Sequence, residues 1–205
     1  MSDGVESGEE VKALCFDYGA GNLHSLVRGL TVIGLDVSVA TDLSAALGST
    51  DLLILPGVGA FGFAAERLAP WRQNVKAALA GGLPCIGVCL GMQLLFSSSE
   101  EGAGEGVGLI DGAVTKLQGR RVPHIGWTEV QDAGFMYFAH SYACRPKDES
   151  VVTNWATHET DRFAAVVRKH NTIGIQFHPE KSSSDGVAWL GRAVAQVTQT
   201  SGGKT

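Results

Sequence analysis

Two short stretches of this sequence hold residues able to attack a carbonyl group. The first is Cys85-Ile86-Gly87-Val88-Cys89-Leu90-Gly91-Met92-Gln93. An apolar run ends at Cys89 and a helical pattern starts from about Gly91, which puts the cysteine at a strand-to-helix turn. Gly87 and Gly91 flank it as glycines flank serine in a G-x-S-x-G elbow, where missing side chains let the nucleophile project into a cleft. A helix N-terminus beneath the sulfur favours the thiolate, the form that attacks carbonyls. The second stretch is Gly174-Ile175-Gln176-Phe177-His178-Pro179-Glu180. Pro179 breaks the strand ladder just after His178 and leaves the imidazole at its end. Glu180 can return to accept a hydrogen bond from the other ring nitrogen, which fixes the tautomer and stabilises the imidazolium. A lone His-x-Glu is more often a surface feature. With Cys89 it makes a nucleophile, a base and an orienting acid. Cys15, Cys85 and Cys144 read instead as small buried apolar residues.

Two other motifs carry less. Gly57-Val58-Gly59-Ala60-Phe61-Gly62 matches G-x-G-x-x-G, but a dinucleotide site also needs an acidic residue ending the next strand. Here that strand ends in Cys89, and the loop follows the third strand rather than the first. Nucleotide binding is rejected. Zinc is rejected as well, because Pro84-Cys85 and Cys89 have the wrong spacing for P-C-x-x-C, and His178 follows them instead of preceding them.

The elements that must hold these residues alternate through the first half. Val11–Phe16, Val37–Ala40, Leu52–Leu55 and Cys85–Val88 read as strands, and Asn22 can cap a helix with apolar positions Leu23, Leu26, Val27, Leu30 and Ile33. A second helix is expected around Trp71–Ala80. Continuous apolar strands between helices indicate a parallel sheet covered on both faces. The second half reads as strands at Val114–Leu117, Ile125–Val130, Phe135–Tyr142, Val151–Asn154, Phe163–Val167 and Thr172–Phe177, with short turns that favour antiparallel additions. A last amphipathic helix covers about Asp185–Val197. The expected class is α/β, with one domain over 11–199 between flexible tails at 1–10 and 200–205.

The 205 residues, 44% hydrophobic and 18% charged, suit one globular core rather than a disordered chain. A net charge of −5 with scattered Lys and Arg argues against nucleic acid as a partner. The acidic start lacks the basic and apolar regions of a secretory signal, and apolar runs are too short to span a bilayer. Four dispersed cysteines do not make a disulfide framework, so a reducing cytoplasm is expected.

Gly87-Val88-Cys89-Leu90-Gly91-Met92-Gln93 with His178-Pro179-Glu180 resembles the class I (triad) glutamine amidotransferases. Asp17 through Leu23, Leu55 through Phe61, Pro123-His124-Ile125-Gly126-Trp127, His140-Ser141-Tyr142 and Gln176 through Ser182 extend the resemblance from about Val11 to Ser184. They are similar to the branch that supplies ammonia to imidazole glycerol phosphate synthases in histidine biosynthesis. The resemblance implies the class I glutaminase (flavodoxin-like) fold and L-glutamine as substrate, with no cofactor and no metal. It makes Cys89 the nucleophile, His178 and Glu180 the rest of the triad, and the N–H groups of Leu90 and, after a local rearrangement, Val58 the oxyanion hole. Gly57, Gly59, Gln93, Ser141 and Tyr142 would bind glutamine. Pro123, His124, Trp127 and Lys181 would face a cyclase subunit of (β/α)8 barrel fold in a heterodimer. Thr128 departs from the Asn usual after Gly-Trp and puts one polar contact near that interface in question. The same chemistry serving vitamin B6, anthranilate or guanylate synthesis, a free-standing γ-glutamyl hydrolase, and a scaffold without activity are the competing readings.

Overall fold

A computed structural model describes residues 10–19 and 23–199 of the chain. Asn22 and, apart from Glu10, the expected tails lie outside the described residues. The first half runs β1 (Lys12–Phe16), α1 (His24–Val32), β2 (Asp36–Ala40), β3 (Leu52–Leu55), α2 (Phe61–Leu68), α3 (Arg72–Ala80), β4 (Cys85–Val88) and α4 (Leu90–Gln93). The second adds β5 (Gly112–Lys116), β6 (His124–Val130), β7 (Gly134–His140), β8 (Tyr142–Pro146), β9 (Val152–His158), β10 (Asp161–Lys169), β11 (Thr172–Ile175) and α5 (Ser183–Thr198). Nine strands form one sheet in the order β2-β1-β3-β4-β11-β10-β9-β6-β7, and β5 pairs with β8 in a separate ribbon.

Alternation along the buried strands sends side chains to two cores. Ala13, Cys15, Ile54, Ile86 and Val88 pack on one face under Leu26 and Leu30 of α1 and Leu190, Ala193 and Val197 of α5. Leu14, Phe16, Leu53, Leu55 and Cys85 pack on the other under Phe61, Ala64 and Leu68 of α2 and Val75 and Leu79 of α3. No helix among the described residues is long and apolar enough to cross a membrane.

The structure departs from the sequence reading at four places. The helix α2 was not anticipated; it begins inside the glycine motif, at Phe61. The run Phe135–Tyr142 is two strands, parted at Ser141, where the chain leaves the main sheet. The strand expected at Val114–Leu117 therefore pairs in the ribbon with β8 instead of joining the main sheet. Finally, β11 is not an antiparallel addition. It pairs parallel with β4 and antiparallel with β10, and so joins the two halves.

Candidate active site

Cys89 stands where β4 gives way to α4, with φ +46° and ψ −101°. Such a conformation is costly for a non-glycine residue and persists only where its surroundings enforce it. Both flanking glycines do so. A Cβ on Gly87 would lie 2.7 Å from the Gly91 carbonyl oxygen, and a Cβ on Gly91 would overlap the Leu55 carbonyl. The Cys89 N–H donates to the Ile175 carbonyl of β11, which fastens the elbow to the neighbouring strand. The helix expected to support the thiolate is a single turn, Leu90–Gln93, too short to carry a sizeable macrodipole. Support for an anion must come from nearby donors instead.

Three residues beyond β11, the His178 N–H donates to the Tyr137 carbonyl at 2.8 Å. Ser182, fully buried, completes a clamp: its hydroxyl donates to the His178 carbonyl at 2.6 Å and accepts the Tyr137 N–H at 2.9 Å. The sequence gives no sign of this positioning role beyond the presence of a serine. His178 Nδ1 meets Glu180 Oε1 at 2.8 Å, and both side chains are nearly sealed from water, at 3% and 6% exposure. Burial disfavours a charged ring, but its hydrogen-bonding and charge interactions with Cys89 and Glu180 outweigh it and raise the His178 pKa from 6.5 to about 10. Cys89, His178 and Glu180 thus stand in one line, with the ring between the sulfur and the carboxylate that holds it.

That line opens into a cavity of about 400 Å³. Cys89, Leu90 and Gln93 border it on one side, Gly57, Val58 and Gly59 on another, and Ser141 and Tyr142 on a third. A Cβ on Gly57 would lie 2.7 Å from the Val88 carbonyl oxygen, so this loop rests directly on the elbow. Gly59, at φ +107°, occupies a conformation that side chains disfavour. A sequence model of the family described as "Glutamine amidotransferase class-I" matches residues 14–195. The chain belongs to that family.

Among class-I glutamine amidotransferases, it is similar to the imidazole glycerol phosphate synthase subunit HisH of Gloeothece citriformis, at 37% identity over 88% of this chain and 94% of the relative. It is 38% identical to the HisH subunit of Pyrococcus furiosus over 85% of this chain and 93% of that one. Among solved structures, a crystal structure of a glutamine amidotransferase superposes with a TM-score of 0.71 at 18% identity, covering 92% of this chain and 99% of that one. The structure of PurLQS from Thermotoga maritima gives 0.69 at 20% identity, covering 94% and 99%. These two likenesses concern the fold alone.

All five residues expected to bind glutamine line the amidotransferase cavity, as do Val58 and Leu90. Pro123 and Lys181 border it too, while Trp127, 52% exposed, stands further along on β6. His124 differs from its neighbours. It is 3% exposed and stacks on Phe138 and His158, because in β6 the even positions face inward and Ile125 and Trp127 face out. Its side chain is therefore an internal group rather than part of an exposed surface. His124 Nε2 meets Thr128 Oγ1 at 2.8 Å, so Thr128 supplies a polar contact at the position where it replaces the usual Asn.

The inner histidines form a chain that ends at the cavity. The Tyr142 carbonyl accepts both Gln93 Nε2, at 3.1 Å, and His140 Nδ1, at 2.9 Å. Nδ1 of His140 then carries the proton, and its Nε2 accepts from His124 Nδ1 at 3.0 Å. Burial lowers the His140 pKa to about 3; burial and the neighbouring His158 lower that of His124 to about 4. Both rings are neutral at physiological pH.

Glu101 was missed by the sequence reading. It borders the cavity, and its Oε2 accepts the Phe61 N–H at 2.8 Å, capping α2 where Ala60 offers no side-chain acceptor. The contact spans forty residues of chain and leaves no local signal.

Proposed function

We propose that this amidotransferase is the glutaminase subunit of an imidazole glycerol phosphate synthase and supplies ammonia to a cyclase in histidine biosynthesis. The observation that carries the reading is the line Cys89–His178–Glu180 opening into a cavity large enough for one amino acid. The kinship with HisH subunits over most of both chains supports the choice of synthase.

The Cys89 sulfur attacks the side-chain carboxamide carbon of glutamine, forming a C–S bond and an oxyanion. The N–H groups of Leu90 and Val58 are the donors proposed to meet that oxygen, each worth about 2.7–4 kcal/mol in the transition state. His178 gives its proton to the departing nitrogen, the C–N bond breaks, and ammonia leaves a thioester. The same ring then takes a proton from water, which attacks the thioester and frees glutamate and the sulfur. Glu180 holds the ring throughout. Glu101 is suited to pair with the substrate ammonium, and Gln93, Ser141 and Tyr142 to fix its orientation.

Ammonia at neutral pH picks up a proton and stops being a nucleophile, so direct transfer to a sealed partner site preserves it. The partner in this reading is a (β/α)8 barrel docked over Pro123, Trp127 and Lys181, where Ile125 and Phe135 are also more than half exposed. The four cysteines, unpaired and buried, suit the proposed cytoplasmic setting. The test is glutaminase turnover of the subunit alone, with the cyclase, and with the cyclase plus its nucleotide ligand. Complex formation with stimulated turnover is expected. Equal rates in all three, without a complex, would remove the assignment to this synthase.

A further inference from the structure

We infer that Gln176 is a further catalytic residue, whose side-chain amide donates to the Cys89 sulfur and holds it as an anion. This rests on the reading of Cys89 as nucleophile. Gln176 follows β11, and its N–H donates to the Ala165 carbonyl of β10 at 2.8 Å, which ties the bend at 176–177 to the sheet. Ile175 and Phe177 enter the core on one side, while Gln176 and His178 project on the other, toward the nucleophile. The Gln176 Nε2 lies 3.6 Å from Sγ, and the residue is fully buried.

The other end of the amide makes the case. Its Oε1 is buried with no hydrogen-bond partner among the described residues. A buried amide satisfied at only one atom is a poor stabiliser, and an apolar side chain of the same shape is commonly as good or better. A thiolate, however, can only accept hydrogen bonds, so the NH2 end is the one that serves it. In a water-poor interior such a donor acts strongly on a charge. The helix behind the sulfur is one turn long, which leaves this amide and the His178 ring as the donors aimed at it. The titratable groups facing the pair are His178 and Glu180 beyond β11, Cys144 on β8, His140 on β7, and Glu101, Tyr142 and Lys181 around the cavity.

The test is the rate of iodoacetamide alkylation of the full chain from pH 5 to 9, for wild type, Gln176→Met and Gln176→Leu. Loss of the donor should move the rise in rate to higher pH by about one unit, a tenfold slowing on the acid limb. A more basic thiolate is a better nucleophile, so the alkaline plateau should increase about threefold. Melting temperatures of both variants should equal or exceed wild type. Thr172→Val, which removes a buried, unpartnered hydroxyl from the adjoining strand β11, should leave the profile in place. Profiles of Met and Leu variants that superimpose on wild type overturn the inference, as does an equal fall at every pH, which marks a merely structural part. If either variant fails to fold, the other decides. Cys89→Ser separates the two levels: undiminished labelling in that variant overturns both the nucleophile assignment and this inference, whereas labelling lost in Cys89→Ser with unmoved Gln176 profiles overturns this inference alone.

Discussion

Glu180→Gln keeps the shape of the buried acid and removes its charge, so it isolates what the carboxylate does for His178. The rise of the His178 pKa from 6.5 to about 10 corresponds to about 5 kcal/mol in favour of the protonated ring. Cys89 and Glu180 share that preference against the cost of burial. A hydrogen bond to a charged group contributes about 1.5–3 kcal/mol, and water cannot replace it where the two side chains are 3% and 6% exposed. The variant should therefore lower the His178 titration midpoint by about one to two units. It should also slow glutamine hydrolysis roughly 10- to 150-fold, if the same energy is lost from the transition state. NMR of labelled histidine gives the midpoint, and a coupled glutamate assay gives turnover. A His178 midpoint unchanged in the variant, together with turnover within about threefold of wild type, would refute the reasoning. So would wild-type His178 titrating near 6.5.

Cys89→Ser should abolish glutamine-dependent synthesis and leave the cyclase its activity on added ammonia, measured side by side. Cys85→Ser should keep the turnover of folded enzyme, because Cys85 lies in the opposite core cluster and burial pushes its thiol pKa up. Gly91→Ala should prevent the elbow from forming, since its Cβ meets the Leu55 carbonyl; the readout is loss of Cys89 alkylation in whatever protein still folds. Acid should destabilise the fold through the inner histidines. Their folded pKa values, about 3 for His140 and about 4 for His124, lie below the 6.5 expected on unfolding. Their contribution is complete above 6.5 and is lost as pH falls toward those values. Lowering the pH from 6.5 to 5 should cost about 2 kcal/mol for each ring, read from urea midpoints. His178 is protonated in the fold over that range but only half protonated at 6.5 on unfolding, so it offsets this loss by about 0.4 kcal/mol.

The parallel half of the fold is legible because 13–16, Leu52–Leu55 and Cys85–Val88 are buried apolar runs with no polar alternation to misread, and only the edge strand β2 alternates. The elbow is legible because its two glycines and cysteine are adjacent in sequence. The helix α2 escapes notice because Gly62 lies within its first turn and no capping residue announces Phe61. The break at Ser141 escapes as well, since one residue separates β7 from β8 without a glycine or proline to mark it. His124 reads as part of an exposed strand, and only the pleat of β6 decides that it faces inward. Gln176 is plain in the sequence, but its neighbour is the sulfur on another strand, which no local pattern reports.

The pairing of β4 with β11 has a consequence for how the chain folds. It brings together groups 87 positions apart, Cys89 and Gln176, and in the same step supplies the Ile175 carbonyl to the elbow. Contacts that distant must overcome the entropy of closing a long loop before they return any energy, so they form late. Until the last strand docks, Cys89 lacks its imidazole and its amide donor and is an ordinary thiol. A growing or refolding chain therefore carries only ordinary thiols, and the activated cysteine appears only with completed topology. Rapid alkylation at acidic pH, where ordinary thiols react slowly, becomes a clock for that final docking.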